Sequence, residues 1–64
     1  MNITLNGEAA TTAATTVEEL AAEVGAPADG TAVAIDGEVV PRSQWGRKLH
    51  DGCAADILTA VQGG

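Results

Sequence analysis

The residues whose chemistry is easiest to name are the last two of the 64, Gly63 and Gly64. Glycine lacks a Cβ and carries a conformational entropy cost that a purely structural chain end does not require. From Val61 to Gly64 the chain can stretch roughly 13 Å. Such a tail can thread a narrow tunnel in a partner, where any Cβ would clash, and place the Gly64 carboxylate beside a nucleotide. A carboxylate is a poor acyl donor until a better leaving group replaces one oxygen, and adenylation supplies that group. The ATP and Mg would then belong to the partner, and this chain needs no bound cofactor of its own. A plain frayed end is the commoner meaning of a diglycine taken alone. Here, however, the glycines follow directly on a strand pattern, and nothing comes after them to hide the carboxylate.

Other reactive side chains form no set. Cys53 is conceivable as a persulfide carrier, but the only base near it in sequence is His50, itself isolated, and a free cysteine commonly packs as a modest hydrophobe. With one His and one Cys there is no metal-ligand spacing and no nucleophile, base and orienter, so catalysis by this chain is not expected. Arg42, Arg47 and Lys48 surround Trp45, a small basic patch that could meet an acidic partner. The simpler expectation is that Trp45 folds over the core edge while the charges stay solvated.

Composition narrows the classes further. A 64-residue chain makes one domain, near the lower size at which a core folds unaided. Hydrophobic residues reach 45%, but 13 residues are alanine, so the core must be thin and stability modest. Nine acidic against three basic residues leave a net charge of −6. That charge repels phosphate backbones and anionic headgroups, which argues against nucleic acid and membrane partners. A basic protein surface is its natural complement. A single cysteine precludes an internal disulfide and suits a reducing compartment. The N-terminus lacks the pattern of a signal peptide, and no apolar run is long enough to span a bilayer, so a cytoplasmic protein is expected.

The elements that must position the tail follow from the periods. Met1, Ile3 and Leu5 alternate with polar residues as in a half-buried strand, and Asn6-Gly7 supplies a tight hairpin turn into a weak edge strand from Glu8 to Thr12. Thr16-Val17-Glu18-Glu19 fits a capping box in which Thr16 and Glu19 bond each other's backbone N–H groups. A helix from Thr16 or Val17 to about Val24 then stripes Val17, Leu20, Ala21 and Val24 along one face, with Glu18, Glu19 and Glu23 toward water. Gly25 and Pro27 stop it. Thr31 to Ile35 and Glu38 to Val40 flank Asp36-Gly37, a second hairpin signal. Residues 42–50 lack a period and read as a loop with a helical turn, before Asp51-Gly52 turns into a last strand, roughly Asp56 to Val61.

Two hairpins separated by a helix let the last strand lie between the first and third, parallel to the first and antiparallel to the third. The expected fold is α+β, a β-grasp with a four- or five-stranded mixed sheet and one main helix. Val17, Leu20 and Val24 should pack on Ile3, Leu5, Val33, Ile35 and Ile57. The domain is expected to cover residues 1–61, with 62–64 as a flexible diglycine tail. Alternation turns Leu58 and Ala60 away from Ile57, so that Leu58, Ala60 and Gln62 become candidate partner-docking residues on the helix-free side.

The sequence resembles the ThiS family, the sulfur-carrier proteins of thiamin thiazole biosynthesis. The likeness runs through Asn6-Gly7, Thr16-Val17-Glu18-Glu19-Leu20, Val39-Val40-Pro41-Arg42 with Trp45, Asp51-Gly52, and Thr59-Ala60-Val61-Gln62-Gly63-Gly64. Diglycine is shared with ubiquitin-like proteins generally; the Val-Pro-Arg segment with Trp three residues on points to this branch. The resemblance implies that an E1-like enzyme adenylates Gly64 and that sulfur from a cysteine-derived persulfide, supplied by a cysteine desulfurase or similar system, displaces AMP. The thiocarboxylate then delivers sulfur to thiazole synthase. Only Gly63 and Gly64 carry over as chemically functional. Cys53-Ala54-Ala55 departs from the charged and β-branched residues the family often has there, which bears on the local turn and strand packing. A molybdopterin-synthase-type carrier and a ubiquitin-like protein modifier are the alternatives that share this tail.

Overall fold

A computed structural model describes residues 1–27 and 29–59. Its elements are β1 (Asn2–Leu5), β2 (Glu8–Thr11), α1 (Val17–Glu23), β3 (Thr31–Ile35), β4 (Glu38–Val40), a short 3-10 turn (Arg42–Gln44) and β5 (Ala54–Thr59). The strands form one sheet in the order β2-β1-β5-β3-β4. β5 is parallel to β1 and antiparallel to β3, as the arrangement of hairpins around the helix requires. Both hairpin turns take positive φ at two successive residues, Asn6 (50°) with Gly7 (83°) and Asp36 (52°) with Gly37 (82°). That backbone matches the twist of the flanking strands and explains why an Asn or Asp followed by Gly stands at each.

The helix covers one face of the sheet. Val17, Leu20 and Ala21 are buried against Ile3, Val33, Ile35 and Ile57, with Leu5 partly buried at the margin. Trp45, 3% exposed, closes the core from the irregular segment, and its Nε1–H donates to the Val40 carbonyl at 3.2 Å. The same segment completes the helix. The Val17 and Glu18 N–H groups donate to the carbonyls of Arg47 (3.1 Å) and Trp45 (2.9 Å), filling two of the donors a helix start leaves unpaired. Cys53 is wholly buried and Ala55 is 1% exposed. Cys53-Ala54-Ala55 therefore makes a normal turn and strand start, with small side chains where the strand enters the core. The burial of Cys53 agrees with its reading as a packing residue.

Three expectations are corrected. Val24 does not join the core: it is the helix C-cap, with φ −85° and ψ 0°, and is 43% exposed. The helix ends at Glu23 because Gly25 (φ 76°) donates to the Ala22 carbonyl and Ala26 to the Ala21 carbonyl, which swings the chain away just where an eighth helical residue would face the sheet. The capping box is half formed. Thr16 Oγ1 accepts from Glu19 N–H at 3.1 Å, but the Glu19 carboxylate accepts from the N–H (2.7 Å) and hydroxyl (2.8 Å) of Thr15 instead of from Thr16 N–H. Thr16 is extended and bridges antiparallel to Lys48, so the preceding residue is the one that presents its N–H to the helix. Finally, β5 begins at Ala54, two residues before the expected start. Asp36 recruits it: Asp36 N–H donates to the Ala54 carbonyl (2.7 Å) and Asp36 Oδ1 accepts from Ala54 N–H (2.9 Å). Ala60 and Val61, expected to end that strand, lie outside the described residues, as does the proposed domain end at residue 61.

Leu20, among the largest wholly buried side chains, has few neighbours that can close over a void in so thin a core. Leu20→Ala should therefore cost about 2–5 kcal/mol, read as a fall in the urea midpoint at unchanged slope.

Candidate functional site

β5 runs through the middle of the sheet, so its two faces look in opposite directions along the same backbone. Ala55 and Ile57 are buried on the helix side, whereas Asp56 and Leu58 are exposed on the other. Leu58 is 71% exposed and stands opposite Ala32 on β3. Next on β3, Ala34 faces Asp56 on one side and Val39 on the other, and Val39 is 70% exposed. Leu58, Ala32, Ala34 and Val39 thus make a continuous apolar strip across β5, β3 and β4. Large exposed side chains joined into a patch mark an interaction surface far better than scattered ones do.

The strip contains one expected docking residue, Leu58. Ala60 and Gln62 lie outside the described residues, as do Gly63 and Gly64. Val39 was not among the expected docking residues. Its signal was present in Val39-Val40, since only one of two successive strand residues can face the core, and Val40 is the one at 2% exposure. From Leu58 to Gly64 six peptide steps span at most about 20 Å, so a partner seated on the strip is within reach of the carboxylate.

His50 is not isolated. Its Nε2 lies 2.7 Å from Asp36 Oδ2 and its Nδ1 lies 3.2 Å from the Asp51 carbonyl oxygen. Two acceptors for two ring nitrogens favour the protonated imidazole, so the His50 pKa is raised, first by Asp36 and then by the Asp51 carbonyl. Asp36 is lowered, first by the Ala54 N–H and then by His50. The pair ties the β3–β4 turn to the start of β5. Both imidazole nitrogens are thus engaged away from Cys53, whose thiol is buried.

The basic patch is also more specific than a solvated fringe. The Arg42 guanidinium lies over the Trp45 ring, 4.6 Å from its centroid, and Arg47 pairs with Glu38 at 2.9 Å. Arg47 is half-exposed and Glu38 more so, hence the pair contributes little to stability. Among the described residues, no three His, Cys, Asp or Glu side chains gather as a metal site needs, and no helix is long and apolar enough to cross a membrane.

A mixed sheet with its last strand at the centre, one helix on one face and an open apolar strip on the other defines a ubiquitin-like β-grasp protein. Within that class the ThiS family model matches residues 3–64, and the chain belongs to the ThiS family. Among solved structures it is similar to the crystal structure of the thiamine biosynthesis protein ThiS from Geobacter metallireducens. The two are 32% identical with all of each chain covered, at a TM-score of 0.83. The solution structure of a thiamine biosynthesis protein from the same organism also matches, with 32% identity, 100% of this chain and 88% of that chain covered, and a TM-score of 0.83. A comparison with curated proteins found no match.

The His50–Asp36 pair predicts a pH dependence with a definite sign. A raised His50 pKa contributes stability that is present below the ordinary value of 6.5 and is lost as pH rises through the folded value. A lowered Asp36 pKa contributes stability that is present above 3.8 and is lost as pH falls through the folded value. The melting temperature of wild type minus that of His50→Ala should therefore peak between pH 3.8 and 6.5 and shrink at alkaline pH. A difference that grows with pH would show that the pair does not act through the protonated ring.

Proposed function

We propose that this chain is the sulfur carrier for thiazole formation in thiamin biosynthesis. Its Gly64 carboxylate attacks the α-phosphorus of ATP in an E1-like partner and releases pyrophosphate. The outer sulfur of a cysteine-derived persulfide displaces AMP to give an acyl disulfide. A thiol of the activating system then cleaves its S–S bond and is itself oxidised to a disulfide, and the thiocarboxylate so released is donated at thiazole synthase. The ThiS family is one of small sulfur-carrier proteins, not catalysts, and the observation that carries the reading is a family match that runs through Gly63 and Gly64. The ATP and Mg belong to the activating partner.

The fold supports this division of labour. The apolar strip of Leu58 and Val39 gives a partner enzyme a surface to grip, while the tail carries the reacting group. A net charge of −6 suits partners with basic rims, so that association quickens at low salt. Glycine at 63 suits a tunnel that admits backbone only.

ATP–pyrophosphate exchange with the activating enzyme tests the central step. Deleting Gly64 shortens the reach by about 3.5 Å, far beyond the tolerance of an in-line attack, and should abolish exchange. Gly63→Val leaves the carboxylate in place but adds a branched Cβ, and should also block it. Neither change touches the described core, so melting temperatures should stay within about 2–4 °C of wild type, the shift that a ±0.5 kcal/mol surface change produces in a domain of this size. Near-normal exchange without Gly64 would show that the terminal carboxylate is not the reacting group.

The docking strip has its own test. Leu58→Asp should raise the dissociation constant for the partner enzyme about tenfold or more, the scale of an interface anchor, while leaving the melting curve nearly unchanged. If the variant instead unfolds, Leu58 supports the fold and the strip is not a docking surface.

A further inference from the structure

One charged side chain is set against the apolar strip on the open face of the sheet. Asp56 lies on β5 and turns to the same side as Leu58, because Ala55 and Ile57, its two neighbours in sequence, are buried. Ala34 stands opposite it on β3, and Val39 stands opposite Ala34 on β4. Residues two apart on a strand are separated by about 6.6 Å and neighbouring strands by about 4.8 Å, so Leu58 and Val39 both lie within about 10 Å of Asp56. An interface of ordinary size covers about 800 Å² on each partner, much wider than that spacing. A partner that covers Leu58 and Val39 together therefore covers the Asp56 carboxylate as well.

We propose that Asp56 selects the protein that docks on this face, by requiring an Arg or Lys side chain set within the partner's apolar contact surface. In the free protein the residue is exposed, and water solvates its carboxylate. Under a docked partner it loses that water, and a carboxylate covered without a counter-charge is among the costliest groups to bury. This chain does not supply the counter-charge. Among the described residues the two ion pairs are made elsewhere, Arg47 with Glu38 and His50 with Asp36, and Arg42 lies over Trp45. The residues outside the described set, Ala28 and Ala60 to Gly64, include no Lys, Arg or His. The cation therefore comes from the partner.

An arginine meets this requirement best. Its guanidinium is planar, weakly hydrated and able to bond both carboxylate oxygens, while its methylene stem can lie over the small side chains of Ala34 and Ala54. The net charge of −6 attracts any basic surface, but it does not say where on that surface the charge must stand. Asp56 does, and it rejects a surface that matches Leu58 and Val39 with apolar groups alone. This inference rests on the reading of the strip as the docking surface for the activating enzyme.

The test is titration calorimetry of the full chain against the activating enzyme, with a melting curve for each variant. Asp56→Asn keeps the shape and removes the charge, and should raise the Kd about tenfold or more. Asp56→Leu should weaken binding at least as much, since it leaves the enzyme's cation covered by an apolar group. Glu18→Gln removes one charge from an exposed position on the helix, across the sheet from the strip, and should change the Kd by less than about threefold. Asp56→Lys should abolish binding, and changing one Arg or Lys of the enzyme to Glu should restore it. Melting curves should stay close to wild type, and Asp56→Asn decides the matter if a larger change perturbs the fold. Tighter binding by Asp56→Leu, equal losses from Asp56→Asn and Glu18→Gln, or failure of every such enzyme variant to rescue Asp56→Lys overturns the proposal. If Leu58→Asp weakens binding and the Asp56 variants do not, the strip remains the docking surface and only the selecting role falls. If Leu58→Asp has no effect, or wild type does not bind the enzyme, both fall together.

Discussion

Everything in this fold depends on docking a helix too short to exist alone. α1 has seven residues, whereas isolated helices in water need roughly 12–15 to be even marginally stable. It is held from two directions. Leu20, Val17 and Ala21 bury its inner face, and the carbonyls of Trp45 and Arg47 receive its first N–H groups. The irregular segment between β4 and β5 is therefore a structural part, folded so that Trp45 fills the core beside the helix while its backbone serves as the helix's cap. Arg42 over the indole shields its outer face. A small alanine-rich chain thus does with one tryptophan what larger domains do with a second helix.

The central position of β5 links this core to function. As the bridge between the two hairpins, it is the strand whose loss would separate them, and it is the described element nearest in sequence to Gly63 and Gly64. The two sides of β5 divide the labour: Ala55 and Ile57 hold the helix, while Leu58 joins Val39 and the alanines of β3 in a face open to a partner. The Asp36 and His50 contacts fasten the other end of the strand by linking its first residue to the β3–β4 turn.

Acidic side chains dominate the surface, and two of the three basic ones are engaged within the molecule: Arg42 with Trp45 and Arg47 with Glu38. With a net charge of −6, the field a partner meets at long range is negative. Recognition then separates into a long-range part, set by net charge, and a short-range part, set by the apolar strip.

The sequence by itself determined the periodic elements. Alternation at Met1 to Leu5, the i, i+3, i+4 spacing of Val17, Leu20 and Ala21, and the Asn6-Gly7 and Asp36-Gly37 turns are local signals, written in residues a few positions apart, and they were enough to place β5 between β1 and β3. The open face was legible through Leu58 for the same reason. Tertiary structure decided what depends on distant partners. Val24 continues the helical stripe, but its exposure is set by where Gly25 turns the chain. Glu19 bonds Thr15 instead of Thr16 because Lys48, far along the chain, holds Thr16 extended. β5 starts early because Asp36 lies beside Ala54, and His50 finds Asp36 only once both hairpins are in one sheet. A hydrogen bond or a buried face joins whatever the fold brings within a few ångströms, and sequence spacing carries no record of that proximity.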